Sequence, residues 1–501
     1  MTLLLIDADG TLLGELPPFE TPVPWWQEVA DFPERSGLTG LQVLRLLHGD
    51  RAAPPGGHVT YLAQVTEKPT NIRKIGRRSE LEMPTASSAD AGAGGAGGGG
   101  AGAGAGGAGG AGVGGAGVGG AGVGGAGVGG AGAGGAGAGG AGVGGAGVGG
   151  AGGAGAGVGG VGVGGVGGAG VGGAGAGGVG VGGVGGADGA DGAVAGVGGA
   201  AGGGVGVDLA PHLKRAAYAE VNGPAKSLDW AREVLPGVTA HQRRTWNLSA
   251  IWRLDGAGGE TVAWLKQVPH FFGHEARVIR LLGDVAPGLA PELIAAGEHG
   301  RMLLAHAPGE DRYGAGPELC ADIAAAFHPI QQHFAKNSVG LSFIPDGRLD
   351  AEVFGRVAEP YVASISGLGK LLDDLPRRIA AINECGLPDT LVHGDLHPGN
   401  VRTDDAGRLT IMDWGDCFFG NPGFDILRLT DDPAVIDAWC RRWETSGADP
   451  RRAIELLRPL APLRSAVVYA GFLDNIEPSE FPYHAEDVPA ALAAAASIVG
   501  E

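Results

Sequence analysis

Along residues 1–65 apolar positions fall in short runs separated by turn residues. Thr2–Ile6 and Thr11–Leu13 flank Asp9-Gly10, a strong hairpin signal, and Leu41–Leu47 and His58–Val65 read as two more strands. Pro24-Trp25-Trp26-Gln27-Glu28-Val29 starts a short helix between them. The pattern then stops for more than a hundred residues. It resumes with an amphipathic run at Ser227–Leu235, which could pack back on the first segment. Trp246–Leu254 and Thr261–Val268 alternate as strands around a turn at Asp255–Glu260. His274–Leu282 places apolar residues three and four apart, as a helix does, and Thr410-Ile411-Met412 reads as a short buried strand. The chain is thereby divided into a small N-terminal α/β domain at 1–85, an insert at 86–207 and a main globular body at 208–501.

Composition explains the silent stretch. Of 104 glycines, 68 lie within Ala91–Val207, which repeats Gly-Gly-Ala-Gly-Val with slippage. Proline is absent there and no three-residue period is kept, so the tract is not collagen-like. Such dense glycine loses too much backbone entropy on folding, and Ala and Val bury too little to offset it. The tract is predicted to be disordered, a flexible coil spanning roughly 60 Å root-mean-square. It reads as a neutral repeat expansion or, as its likeness to glycine-rich repeat proteins implies, a surface for a partner.

The formal net charge of −19, of which −13 falls in 208–501, argues against any role that neutralises nucleic-acid phosphates. The four cysteines Cys320, Cys385, Cys417 and Cys440 form no CxxC pair and read as reduced thiols. No basic leader precedes the first apolar run and no window is apolar enough for a membrane span, so a cytoplasmic protein without membrane or nucleic-acid partners is expected.

The sharpest chemical signal is Leu391-Val-His393-Gly394-Asp395-Leu396-His397-Pro398-Gly399-Asn400, followed by Leu409-Thr-Ile-Met-Asp413-Trp414-Gly415-Asp416. Phosphoryl transfer from a nucleotide needs one carboxylate to accept the acceptor's hydroxyl proton. It needs a second, helped by an amide oxygen, to hold Mg²⁺ on the phosphates. A loop carrying Asp395 and Asn400 supplies the first carboxylate and the amide. A hairpin turning at Asp404-Asp405-Ala406-Gly407 returns Asp413 to the same cleft.

His-Gly-Asp-x-His-x-x-Asn followed by Ile-x-Asp-Trp closely resembles the aminoglycoside phosphotransferase family of kinase-like enzymes, over about residues 240–500. The resemblance implies a two-lobed, protein-kinase-like α+β fold using ATP and Mg²⁺. It implies Asp395 as catalytic base, Asn400 and Asp413 as Mg²⁺ ligands, and His393 and Asp425 as braces of the catalytic loop. Gly420-Asn421-Pro422 departs mildly from the family's usual Gly-Asp-Pro. Lys266 falls where the family's phosphate-binding lysine lies, with Glu275 as its partner, and Asn247 and Ser249 on the first turn would cradle phosphates in place of a GxGxxG loop. Met302–Gly309, with His306, resembles the strand and hinge that meet adenine. The implied activity is phosphorylation of a hydroxyl on a small molecule: a sugar, aminosugar or amino alcohol. Acceptor candidates lie in Trp439–Trp443 and Tyr469–Glu477, where acidic residues could bind an amine, although Trp439 and Trp443 also suit core packing.

Other readings are weaker. Asp7-Ala-Asp9-Gly10-Thr11 resembles the nucleophile motif of haloacid-dehalogenase-type phosphatases, but residues 1–85 offer no suitably placed lysine and no second acidic pair for that chemistry. The strand–helix–strand order there is Nudix-like at most, without the metal-binding glutamates. A nucleotide-binding pseudokinase, with the Gly-rich tract and N-terminal domain recruiting a partner, is the alternative from another functional class.

Overall fold

The computed structural model describes residues 1–20, 40–53, 57–66 and 207–500. The helix expected at Pro24–Val29 and the Gly-rich tract lie outside the described residues.

The N-terminal strands β1 (Thr2–Ile6), β2 (Leu12–Glu15), β3 (Leu41–Gly49) and β4 (Val59–Val65) form one sheet in the order β2-β1-β4-β3. The β1–β2 hairpin is the one read from Asp9-Gly10. Gly10 sits at φ 79°, and Asp7 Oδ1 accepts from the Asp9 and Thr11 amides at 3.0 and 2.8 Å. Asp7 is thereby spent holding a turn, as a short Asx side chain does.

A second sheet has the order β5-β6-β7-β9-β8, from β5 (Thr239–Thr245), β6 (Ala250–Asp255), β7 (Thr261–Gln267), β8 (Leu293–Ala296) and β9 (Arg301–Ala305), all antiparallel. The strand expected from Trp246 begins only at Ala250; Trp246–Ser249 is the turn between β5 and β6. Helix α1 (Gly223–Val234) buries Leu228 and Ala231 against Trp252, Leu254 and Leu265 of this sheet. The amphipathic run at 227–235 therefore packs on the second sheet. At its entry the chain is also tied to the first sheet, where the Asn222 amide donates to Gln64 Oε1 at 2.7 Å. Helix α2 (Glu275–Val285) lies on the opposite face, its Val278, Ile279 and Leu282 joining the core of the larger lobe.

That larger lobe is helical. It contains α3 (Pro317–Lys336), α4 (Ala351–Ala358), α5 (Leu368–Glu384), α6 (Gly423–Leu429), α7 (Pro433–Glu444), α8 (Pro450–Leu457), α9 (Leu460–Asn475) and α10 (Asp487–Gly500). Short strands β10 (Glu310–Asp311), β11 (Thr390–Val392), β12 (Val401–Thr403), β13 (Leu409–Ile411) and β14 (Phe418–Gly420) line its upper edge. The mixed α+β, two-lobed organisation is the one predicted. Trp439 and Trp443 are both buried, with ring centroids 6.0 Å apart, and belong to the core. Among the described residues no helix is long and apolar enough to cross a membrane.

The N-terminal sheet touches both lobes. Its edge strand β3 faces β5, where the buried Gln242 carboxamide bonds the N–H and the C=O of Val43, each at 2.8 Å. Trp252 Nε1 donates to Gln42 Oε1 at 2.8 Å, and Thr245 Oγ1 to the Leu44 carbonyl at 3.3 Å. On the other side, Tyr61 and Tyr483 hydroxyls lie 2.7 Å apart and the Ala53 amide donates to the Pro482 carbonyl at 2.8 Å. Glu477 is buried there, gripped in two-pronged fashion by Arg215 at 2.8 and 2.7 Å and flanked by Arg45 at 3.5 Å. A carboxylate so paired is not available to an acceptor amine, which corrects that expectation for Glu477.

Candidate active site

Strand β7 carries Lys266 to the inner face of the five-stranded sheet, and the N-terminus of α2 places Glu275 beneath it. Lys266 Nζ donates to Glu275 Oε1 at 2.7 Å and to Asp413 Oδ1 at 2.7 Å. Burial alone would depress the ammonium, but Asp413 and Glu275 outweigh it and raise its affinity for the proton. Glu275 Oε1 also accepts the Trp414 amide at 3.2 Å, and its Oε2 is buried with no partner among the described residues.

Asp413 follows β13 at φ 60°, ψ 67°, a left-handed conformation unusual for a residue with a Cβ. Such strain persists only where its surroundings hold it, and here Lys266 takes one oxygen of the carboxylate. The Met412 amide donates to the Asn400 carbonyl at 2.7 Å, so the residue before Asp413 is stitched to the catalytic loop.

The loop itself is over-determined. Asp425, on α6, accepts from the His393 and Gly394 amides at 3.0 Å each and from Gln331 Nε2 at 2.9 Å. Burial pushes its carboxyl up to about 7 despite these bonds. The His393 ring bonds the Met412 carbonyl through Nε2 at 2.8 Å and accepts the Asp395 amide on Nδ1 at 3.2 Å. These partners require the neutral Nε2–H form, and burial keeps the ring neutral by lowering its pKa to about 4. Gly394 adopts φ 85°, and a Cβ there would collide with the Asp416 carbonyl, so glycine is required.

Asp395 is buried, with Arg428 Nε donating to Oδ1 at 2.9 Å, Asn400 Nδ2 to Oδ2 at 3.1 Å, and His397 Nε2 at 3.6 Å from Oδ2. Burial works to raise its pKa, yet Arg428 and then His397 hold it well below the usual carboxylate range. Asn400 Oδ1 is buried and has no donor among the described residues. An amide oxygen and a carboxylate are the hard oxygen donors that suit Mg²⁺, so Asn400 and Asp413 fit that ion.

In the β5–β6 turn Ser249 Oγ accepts Trp246 Nε1 at 3.1 Å. Both side-chain polar atoms of Asn247 are buried and have no partner among the described residues. A buried amide without partners costs several kcal/mol, roughly 2–7 by transfer measurements. At the far end of the sheet the His306 amide donates to the Val262 carbonyl at 3.2 Å, and its Nδ1 accepts Trp264 Nε1 at 3.0 Å. The N–H of His306 is therefore spent within the sheet. The following bend is pinned by Arg402, whose guanidinium donates to the Gly309 carbonyl.

Sequence reading missed two cations. Arg428 lies three residues after Asp425, on the same face of α6, a spacing that could have marked it. Arg244 on β5 has its guanidinium 5.6 Å from the Trp246 ring, and burial lowers its proton affinity against the opposing influence of Tyr313 and Asp413.

A buried lysine held between two carboxylates, a separately buttressed aspartate and an unpartnered amide oxygen define a phosphotransferase-type cleft between the two lobes. Residues 247–456 match the model of the phosphotransferase enzyme family. No curated protein matches the chain. Among solved structures it is similar to a choline/ethanolamine kinase family protein from Mesorhizobium loti, at 16% identity and TM-score 0.38, covering 54% of this chain and 99% of that one. It is likewise similar to macrolide 2'-phosphotransferase MphH from Brachybacterium faecium, at 15% identity and TM-score 0.40, covering 54% and 96%. The choline kinase LicA from Streptococcus pneumoniae is similar at 13% identity and TM-score 0.40, covering 55% and 99%.

Proposed function

We propose that the protein transfers the γ-phosphoryl group of ATP to a hydroxyl of a small molecule, with Mg²⁺. The observation that carries this reading is the contact of Lys266 with both Glu275 and Asp413, which joins the two lobes at one point. Lys266 would meet phosphate oxygens as a shielded, charge-assisted donor. Asn247 and Ser249 would offer the amide and hydroxyl of the neighbouring turn. Asn400 and Asp413 would hold Mg²⁺, which supplies charge neutralisation across the phosphates when bound.

Asp395 would orient the acceptor hydroxyl and take its proton. Its low proton affinity suits a reaction in which bond breaking to the leaving group runs ahead of bond making, so the proton moves late. His393 and Asp425 keep its backbone fixed. The test is Asp395→Asn in the full chain, with ADP release followed across an acceptor screen. Turnover should fall by about 10²–10⁴ while nucleotide affinity holds. Wild-type turnover in that variant would remove Asp395 from the role.

A further inference from the structure

The turn from Trp246 to Ser249, which would meet the phosphates, is held from several directions. Within it, the Trp246 amide donates to the Ser249 carbonyl at 3.0 Å and the indole N–H to Ser249 Oγ at 3.1 Å. The Tyr218 hydroxyl, ahead of α1, donates to the Trp246 carbonyl at 2.8 Å. Thr245, the residue before the turn, donates to the Leu44 carbonyl of β3 at 3.3 Å. The Trp246 ring meets that of Tyr483 edge-on, with centroids 6.0 Å apart, and lies 6.1 Å from that of His484. The indole thereby packs against the core of the N-terminal sheet, to which Tyr483 also belongs. Leu248, two residues on, is buried in the core of the larger lobe.

Asn247 lies between these two anchors. It is 2% exposed, and neither polar atom of its side chain has a partner among the described residues. A turn free to relax would let that amide reach water. Anchored at Trp246 and Leu248, it keeps a donor and an acceptor inside, available to a ligand.

Phosphoryl transfer needs this turn and Lys266, on one lobe, at a fixed distance from Asn400 and Asp413 on the other. The Lys266–Asp413 contact would be given up as phosphate and metal take those charges. The N-terminal sheet joins the lobes without using either residue. It holds β5 through Gln242 and Thr245. It holds the helical lobe where Tyr61 meets Tyr483, where the Ala53 amide meets the Pro482 carbonyl, and where Arg45 flanks Glu477. Tyr483 is shared, with its hydroxyl on the sheet and its ring on the turn.

We propose that the N-terminal sheet positions the phosphate turn, with Trp246 and Tyr483 as positioning residues, and so serves nucleotide binding from outside the cleft. This rests on the phosphotransferase reading and gives the N-terminal sheet a part in it. Such coupling is reciprocal: if the docked sheet favours phosphate binding, bound phosphate favours the docked sheet by the same factor.

The test is hydrogen–deuterium exchange on the full chain, without nucleotide and saturated with MgADP. Residues 246–249, β3, β4 and 477–484 should exchange about fivefold more slowly with MgADP. Helix α5, which packs on α4, α8 and α10, should change by less than about twofold. In Asn247→Ala saturated with MgADP, the slowing in β3 and β4 should be lost. By calorimetry, Tyr483→Leu should weaken MgADP about fivefold or more. Tyr483→Phe, which keeps the ring against Trp246, should cost no more than about twofold. Unchanged exchange in β3 and β4, equal slowing throughout the chain, slowing that survives in Asn247→Ala, or wild-type affinity in Tyr483→Leu would each overturn the inference. Should a variant fail to fold, exchange in the wild-type protein decides. Failure of the wild-type protein to bind MgADP would bring down the phosphotransferase reading and this inference with it. Bound MgADP that slows residues 246–249 but not the sheet would bring down this inference alone.

Discussion

Lys266 and Asp413 are 147 residues apart in sequence and 2.7 Å apart in space. The lysine belongs to the sheet lobe and the aspartate to the strand pair of the helical lobe, so one ammonium joins the two. Glu275 completes the triangle from α2. Replacing Lys266 by Met keeps a side chain of similar length on β7 and removes only the cation. The KM for ATP should rise by about tenfold or more, with circular dichroism unchanged. Glu275→Gln should give a smaller rise, since it loosens the lysine without deleting it. An unaltered KM in both would place the phosphate contact elsewhere.

Asp413→Ala removes a carboxylate proposed to touch the metal, and its signature differs. Nucleotide affinity measured with Mg²⁺ should fall to the value measured with EDTA, whereas the wild-type protein should show a clear gap between the two. A Mg²⁺-dependent gap that survives the substitution would exclude Asp413 as a ligand.

The contact between the N-terminal sheet and residues 477–484 should make stability pH-dependent. Burial, and then Glu477, push the Glu480 carboxyl up to about 8 from its ordinary 4.5. Between those values the folded protein keeps a proton that the unfolded chain has lost. Stability should therefore fall as pH rises through this window, by at most about 1.4 kcal/mol per pH unit. Glu480→Gln should flatten that slope and raise the melting temperature at pH 8. An identical pH profile for the variant would show that Glu480 ionises normally.

Excision of residues 91–206 shortens the connection between Thr66 and Val207 roughly sixfold. Loop-closure entropy then favours the folded chain by about 1–2 kcal/mol. The melting temperature should hold or rise slightly and ATP affinity should not change. A marked fall in either would show that the tract contributes contacts.

The catalytic loop was legible because its chemistry and its bracing are local: His393, Asp395, Asn400, Asp413 and Asp425 all lie within one short stretch. Turn residues marked it further, with Gly394 and Gly407 both at positive φ. Strand β5 was not legible. Its buried side chains are Gln242 and Thr245, because that edge faces another sheet's backbone and not an apolar core. The destination of Glu477 was hidden for a related reason, since its partner Arg215 is 262 residues distant. Arg428 was visible as a residue but not as a contact. Helix spacing puts it on the face of Asp425, while its grip on Asp395 depends on how α6 meets the loop.

The join between Tyr61 and Tyr483 also bears on the order in which the molecule is built. The two hydroxyls are 422 positions apart, and Pro482 and Glu477, which seat the same sheet, come almost as late. At about 5–20 residues per second, ribosomal synthesis leaves roughly 20–80 seconds between the emergence of Tyr61 and of its partner. Throughout that interval, among the described residues, the face of the sheet that ends against residues 477–484 is covered by Leu13, Phe19 and Trp246 and lacks Tyr483. A nascent chain stalled before residue 477 should thus be far more open to protease at β3 and β4 than the released protein.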